Sequence, residues 1–188
     1  MNTIFNILSI VLISGFATAS TLKDVTMADE QTVFGKKLFL NGMGLREVEV
    51  MHIPIKVYVG GLYLEKKSTD GEAIIASKGV KQVKAQFLRR VAPSDLKRGW
   101  KEFFDKVCGK CDNVKDKIEA FNGLLKEVKS GETLNYTFTD KSIELDLNGT
   151  KWGSVDSAAL VNIFLTGWIG KKPVDTELTE GFLGIAKK

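Results

Sequence analysis

Arg46 lies in GLREVEV, residues 44–50, where apolar and charged residues alternate with the period of two that marks a β-strand. That register puts Arg46 on one face with Val48 and Val50, and Leu45 on the other with Glu47 and Glu49. The cation therefore stands on the apolar side. A planar, permanently charged guanidinium in that position has two uses. It can pair with a carboxylate supplied by another part of the fold, or it can hold the oxyanion of a bound ligand. Two other residue types could do chemistry. Cys108 and Cys111 form Cys-Gly-Lys-Cys, the spacing of thiol redox motifs. They follow PSDLKRGWKEFFDKV, an amphipathic helical pattern, and so fall at the end of a helix. A redox thiol is activated at a helix start, where the dipole lowers its pKa. The pair reads as a structural disulfide closing the junction of two helices, with redox activity and metal binding as alternatives. His52 is the single histidine, with no nucleophile or second ligand in a recognisable arrangement, and it reads as a strand-end or loop residue. No catalytic residue, metal site or cofactor is predicted.

Those residues need a scaffold, and 188 residues with 44% hydrophobic and 27% charged content can bury one core. A net charge of +4, with lysines interleaved among acidic residues, gives no basic stripe for nucleic acid. At the N-terminus an apolar run from Ile4 to Phe16 is short for a bilayer span and is followed by Ala17-Thr18-Ala19. This is the pattern of a cleaved export signal, residues 1–19, ahead of a single domain over 20–188. Export places the cysteines in a disulfide-permissive compartment. Three strands are predicted over 34–41, 44–52 and 55–65, the third apolar on both faces and so central. A short helix near 71–78, a strand over 80–90 and a helix opening at Pro93-Ser94 follow. Val114, Ile118, Phe121, Leu125 and Val128 recur at helical spacing. LNYTFTDKSIELDLNGTKWGSV reads as a meander turning at Asp140-Lys141 and Asn148-Gly149. SAALVNIFLTGWIGKKP reads as a long helix stopped by Gly170 and Pro173. Asp70 to Glu72 and Asp175 to Glu180 read as helix-start or solvated charges. The elements add up to an α+β fold, an antiparallel sheet with helices packed on one face.

The combination of LFLNGMGLREVEVMHIPIKVYVGGLYLE, a helix-rich middle, TFTDKSIELDLNGT and GSVDSAALVNIFLTGWIGKKPVDTELTEGFLG resembles the chalcone isomerase superfamily, in particular its bacterial chalcone-isomerase-like branch. The resemblance runs from about Val33 to the end. It implies an open-faced β-sandwich, a large antiparallel sheet with a layer of helices. It also implies a role for Arg46, since Gly44-Leu45-Arg46 matches the segment whose arginine polarises the substrate in the plant isomerases. The next strand, KVYVGGLYLE, carries Tyr58 where the isomerases carry threonine. The fatty-acid-binding members have tyrosine there, and in them the arginine and tyrosine together hold a carboxylate. The isomerases place a tyrosine and an asparagine on the helix after the Arg89-Arg90 strand; APSDLKRGWKEFFDK offers Leu96, Trp100, Phe103 and Phe104 instead.

These features favour a non-catalytic periplasmic binding protein for a fatty acid or similar apolar carboxylate, with Arg46 and Tyr58 at the head group. Trp100, Phe103 and Phe104 would line the pocket. The alternatives are an isomerase or lyase acting on an unsaturated ketone through Arg46, and a thiol redox protein acting through Cys108 and Cys111. The mature protein is expected to begin at Ser20; N-terminal sequencing of protein recovered from its host checks this, and an intact Met1 overturns it.

Overall fold

A computed structural model describes residues 18–186; residues 1–17 of the expected export signal lie outside the described residues. A small hairpin, β1 (Ala19–Leu22) with β2 (Val25–Ala28), precedes the main sheet. That sheet holds seven strands in chain order: β3 (Glu30–Val33), β4 (Lys36–Val50), β5 (Ile53–Leu64), β6 (Lys81–Phe87), β7 (Thr133–Phe138), β8 (Ser142–Leu147) and β9 (Thr150–Asp156). Each pairs antiparallel with the next. Helix α1 (Gly71–Ala76) joins β5 to β6, and α2 (Pro93–Cys108) and α3 (Lys115–Leu124) join β6 to β7. Helices α4 (Ala158–Ile169) and α5 (Thr176–Phe182) follow the sheet.

One face of the sheet buries Val83, Leu134, Ile143 and Leu145 under the helices. The other face is covered only where Val25 and Met27 of the hairpin meet Leu38, Leu40, Val59 and Tyr63. Beyond that patch it is polar, with Lys84 over the Tyr63 ring and Asn135 donating to Asp146 at 2.8 Å. A one-sided helical layer on an antiparallel sheet is the α+β, open-faced arrangement expected.

The strands expected over 34–41 and 44–52 are one strand, β4. A bulge at Asn41 takes the place of the expected break, because the register passes from Leu40↔Tyr63 to Gly42↔Leu62. The Asn41 amide accepts from the Ser68 N–H at 2.8 Å and donates to the carbonyls of Ser68 and Phe182 at 2.9 and 2.8 Å. The extra residue keeps Leu38, Leu40, Met43 and Leu45 all toward the hairpin, and turns Gly42 and Gly44 toward α5. The helix expected to reach Val128 ends at Leu124; Val128 instead exchanges backbone hydrogen bonds with Val91 at 2.8 and 3.1 Å.

Helix α5 crosses β4 backbone to backbone. A Cβ on Gly42 would lie 2.1 Å from the Gly181 carbonyl oxygen, and one on Gly181 would lie 2.4 Å from that of Met43. A Cβ on Gly44 would lie 2.7 Å from the Leu178 carbonyl oxygen. Only residues without side chains allow this approach.

Cys108 ends α2, and Cys111 precedes a 3-10 turn at Asp112–Val114. Their Cα atoms are 5.2 Å apart, with Gly109 at φ 65° between them. The reversal that brings the sulfurs face to face is one that glycine adopts freely.

Gly42→Ala is expected to cost about 1–3 kcal/mol of stability, since neither backbone can yield cheaply. Gly123→Ala, in α3 with nothing within 4 Å of the added Cβ, is expected to add about 0.5–1 kcal/mol. Urea unfolding of both variants measures the contrast.

Candidate functional site

Between the helix-facing side of β4 and β5 and the flank of α2 lies a cleft of ≈ 540 Å³. β4 contributes Arg46, Val48 and Val50, the three residues that strand alternation puts on one face. Tyr58 stands directly across from Arg46 in register, and a second bulge follows at once, Arg46↔Tyr58 giving way to Glu47↔Lys56. The extra residue is Val57, so Val57 and Tyr58 both reach the cleft. α2 supplies the opposite wall with Leu96, Trp100 and Phe103. Phe104 points elsewhere: it is 3% exposed and packs on Phe121 and Phe164 in the core. His52 is at the exposed turn between β4 and β5, paired with Glu49 at 2.9 Å.

The guanidinium of Arg46 has a carboxylate partner. Its Nη1 donates to Asp175 Oδ2 at 2.6 Å and to the Glu47 carbonyl at 2.9 Å. Asp175 Oδ1 meanwhile accepts from the Leu178 N–H at 3.0 Å and caps α5. One carboxylate thus starts the helix and holds the strand arginine, 129 positions away in sequence. Asp175 is the helix-start residue its sequence suggested, but the ion pair is a tertiary fact. Nη2 and Nε of Arg46 make no hydrogen bond among the described residues, and the side chain remains 27% exposed, which leaves it reachable from the cleft.

Two residues that sequence did not single out complete the inner end. Tyr136, on β7, and Trp168, on α4, both line the cleft. Tyr136 lies in a meander that reads as ordinary strand, and Trp168 in a helix apolar all round, so neither is distinguished by its local pattern. Trp100 sits at the centre of the cluster, with ring centroids of Phe164, Phe121 and Tyr136 at 4.7, 5.3 and 5.5 Å. Burial pushes the Tyr58 phenol up to about 12; the Arg46 cation pulls it down, and Asp175 adds to the rise. Burial likewise raises Tyr136 well above the ordinary tyrosine value, and Tyr58 beside it adds to the rise. Both phenols are therefore neutral donors at physiological pH. The inner end presents a neutralised arginine and two hydroxyls; the buried wall residues Leu96, Trp100 and Phe103 are apolar, and the charged residues of the lining, among them Arg98, Glu102 and Lys106, are exposed. Such a place can seat an oxygen-bearing head group with its hydrocarbon directed along β4. Among the described residues no group of three or more His, Cys, Asp and Glu is placed to hold a metal ion.

An open-faced sheet with a cleft between its strands and a one-sided helical layer defines a recognisable class of fold. Residues 19–184 match the chalcone isomerase-like family, and the chain belongs to it. Among solved structures a fatty-acid-binding protein from Arabidopsis thaliana shares the fold with a TM-score of 0.70. At 17% identity, the match covers 88% of this chain and 96% of that one. No curated protein matches the chain by sequence.

Tyr58, Tyr63 and Tyr136 are the three tyrosines of the chain, and burial raises all of them, Tyr63 also to about 12. Absorbance at 295 nm is expected to show no phenolate step near pH 10 while the protein is native. The unfolded chain gives up these protons near 10, whereas the folded one holds those of Tyr58 and Tyr63 to about 12 and keeps that of Tyr136 well above its ordinary value. Stability therefore falls as pH rises from 10 through 12. In Tyr58→Phe the fall should be shallower; a native step near pH 10 contradicts the burial.

Proposed function

We propose that the protein is an exported, non-catalytic binding protein for a fatty acid or similar apolar carboxylate. The observation that carries this reading is Arg46 at the inner end of an apolar cleft, with Tyr58 across from it and Tyr136 beyond. The cleft lies in the range of about 300–1,000 Å³ typical of small-molecule sites. A tail of about ten carbons would gain roughly 8 kcal/mol at 0.8 kcal/mol per buried methylene, before ordering losses. The fatty-acid-binding description of the Arabidopsis protein of the same fold points the same way.

Asp175 alters the head-group energetics. An unpaired guanidinium among apolar neighbours would draw an anion strongly. Here Asp175 already satisfies Nη1, so an entering carboxylate must use the other guanidinium N–H groups and the phenol hydroxyls against repulsion from Asp175. The preference for acid over alcohol is correspondingly modest. An isomerase reading draws on the same donors, since Arg46 with two neutral phenols could hold a developing oxyanion. The buried α2 residues of the cleft, Leu96, Trp100 and Phe103, offer it no polar group beside those donors; the charged α2 residues of the lining, Asp95, Arg98, Glu102 and Lys106, are exposed.

Cys108 and Cys111 serve as an oxidised clasp at the end of α2 rather than as redox catalysts. Cys111 is buried, and Cys108 stands at a helix C-terminus, which does not stabilise a thiolate.

Calorimetric titration of decanoic acid and decanol tests the ligand. The wild type should favour the acid by about tenfold, Arg46→Ala should bring the ratio close to one, and Tyr58→Phe should reduce it less. Asp175→Asn keeps the helix cap, since asparagine caps as well as aspartate, and should tighten the acid alone. If the wild type binds neither compound, or Arg46→Ala keeps the preference, the reading fails. Saturable turnover of a chalcone by the pure protein would put the isomerase in its place.

A further inference from the structure

We infer that the β4–β5 hairpin tip is a membrane-docking device that sets the mouth of the cleft against a phospholipid surface. Five large apolar side chains are exposed among the described residues, and three of them, Val50, Met51 and Ile53, crowd this one turn at 52%, 89% and 59% exposure. The turn itself is chemically unusual. Met51 and His52 both take positive φ, 51° and 64°. Two-residue hairpins of this kind are ordinarily built from Asn-Gly or Asp-Gly, which adopt that region with little strain. Here a methionine occupies a left-handed position at the extreme tip, with its side chain in water. Neither turn geometry nor core packing calls for it.

The tip is continuous with the cleft. Val50 and Ile55 line the cleft's outer part, and Arg46 lies two strand steps further in on the same face. A tail leaving the hydrocarbon of a bilayer at Met51 would thus meet Val50, Val48 and Val57 on its way to Arg46. The rim carries Arg89, Arg90, Arg98 and Lys106. Arg90 and Arg98 are paired with Glu127 and Asp95, whereas Arg89 and Lys106 make no ion pair among the described residues. Glu49 and Glu102 offset part of this charge, so apolar insertion supplies most of the attraction and the two unpaired cations add a preference for anionic head groups. A protein partner fits less well. Three side chains on a narrow turn fall far short of the roughly 20–30 residues per side of a stable protein interface, but are enough to sink into the head-group region. The inference rests in part on the cleft being an amphiphile site, and its test separates the two.

The mature protein should float with vesicles of phosphatidylcholine and phosphatidylglycerol in equal parts, and more weakly with phosphatidylcholine alone. Met51→Asp should lower partitioning by about tenfold, the effect of withholding one buried side chain of this size. The double variant Met51→Asn with His52→Gly should fold at least as stably as the wild type, because it installs the preferred turn, and should still lose vesicle binding. Arg89→Ala should weaken flotation only with phosphatidylglycerol present. Decanoic acid binding should survive in the tip variants. Failure of the wild type to float with either vesicle, or flotation of the double variant like the wild type, overturns the inference. So does a dimer that Met51→Asp dissolves without any vesicle binding. Flotation without decanoic acid binding would instead leave the tip's role standing and remove the fatty-acid reading.

Discussion

The site depends on the contact of α5 with β4 through Gly42, Gly44 and Gly181, where backbone meets backbone with no room for a Cβ. A helix held this close delivers its first residues to a fixed point on the strand, two residues beyond Gly44, where Arg46 stands. The cap of that helix is Asp175, so the distance that defines the packing also defines the ion pair. The Asn41 bulge belongs to the same contact. It turns the glycines toward the helix and ties the strand to the Phe182 carbonyl at the helix's far end. A half-buried arginine with a carboxylate that is itself anchored by a backbone N–H has little freedom, and a preorganised head-group site needs that rigidity.

The cleft exists because the two layers diverge on the far side of that contact. Near Gly44 the helical layer touches the sheet; toward Val50 the strands continue beyond it and α2 forms the other wall. The bulge at Val57 turns two consecutive residues of β5 into this gap, widening the apolar surface without disturbing the pairing of the inner strands. Trp100 and Phe103 face the gap while Phe104 enters the core behind them. A single helix thus both closes the core and lines the cleft. The electrostatics follow from the same layering, since burial keeps Tyr58 and Tyr136 neutral and leaves them able only to donate or accept hydrogen bonds.

Much was legible in the sequence because it rests on local rules. Alternation put Arg46, Val48 and Val50 on one face, the Asn148-Gly149 turn paired β8 with β9, and Ser157 and Gly170 bounded α4. The charge of Arg46 on an apolar strand face marked the proposed head-group position, and its segment carried the family resemblance. What stayed hidden rests on contacts between residues far apart in the chain. Asn-Gly at 41–42 has the composition of a turn, and only the docking of α5 makes it a bulge within one long strand. Asp175 has the pattern of an N-cap, which it is, and nothing near it in sequence reveals that its second oxygen takes an arginine 129 residues earlier. Tyr136 and Trp168 follow strand and helix periodicities that look like any core. Period and propensity report which face a side chain occupies; which partner waits on that face is decided when the layers meet.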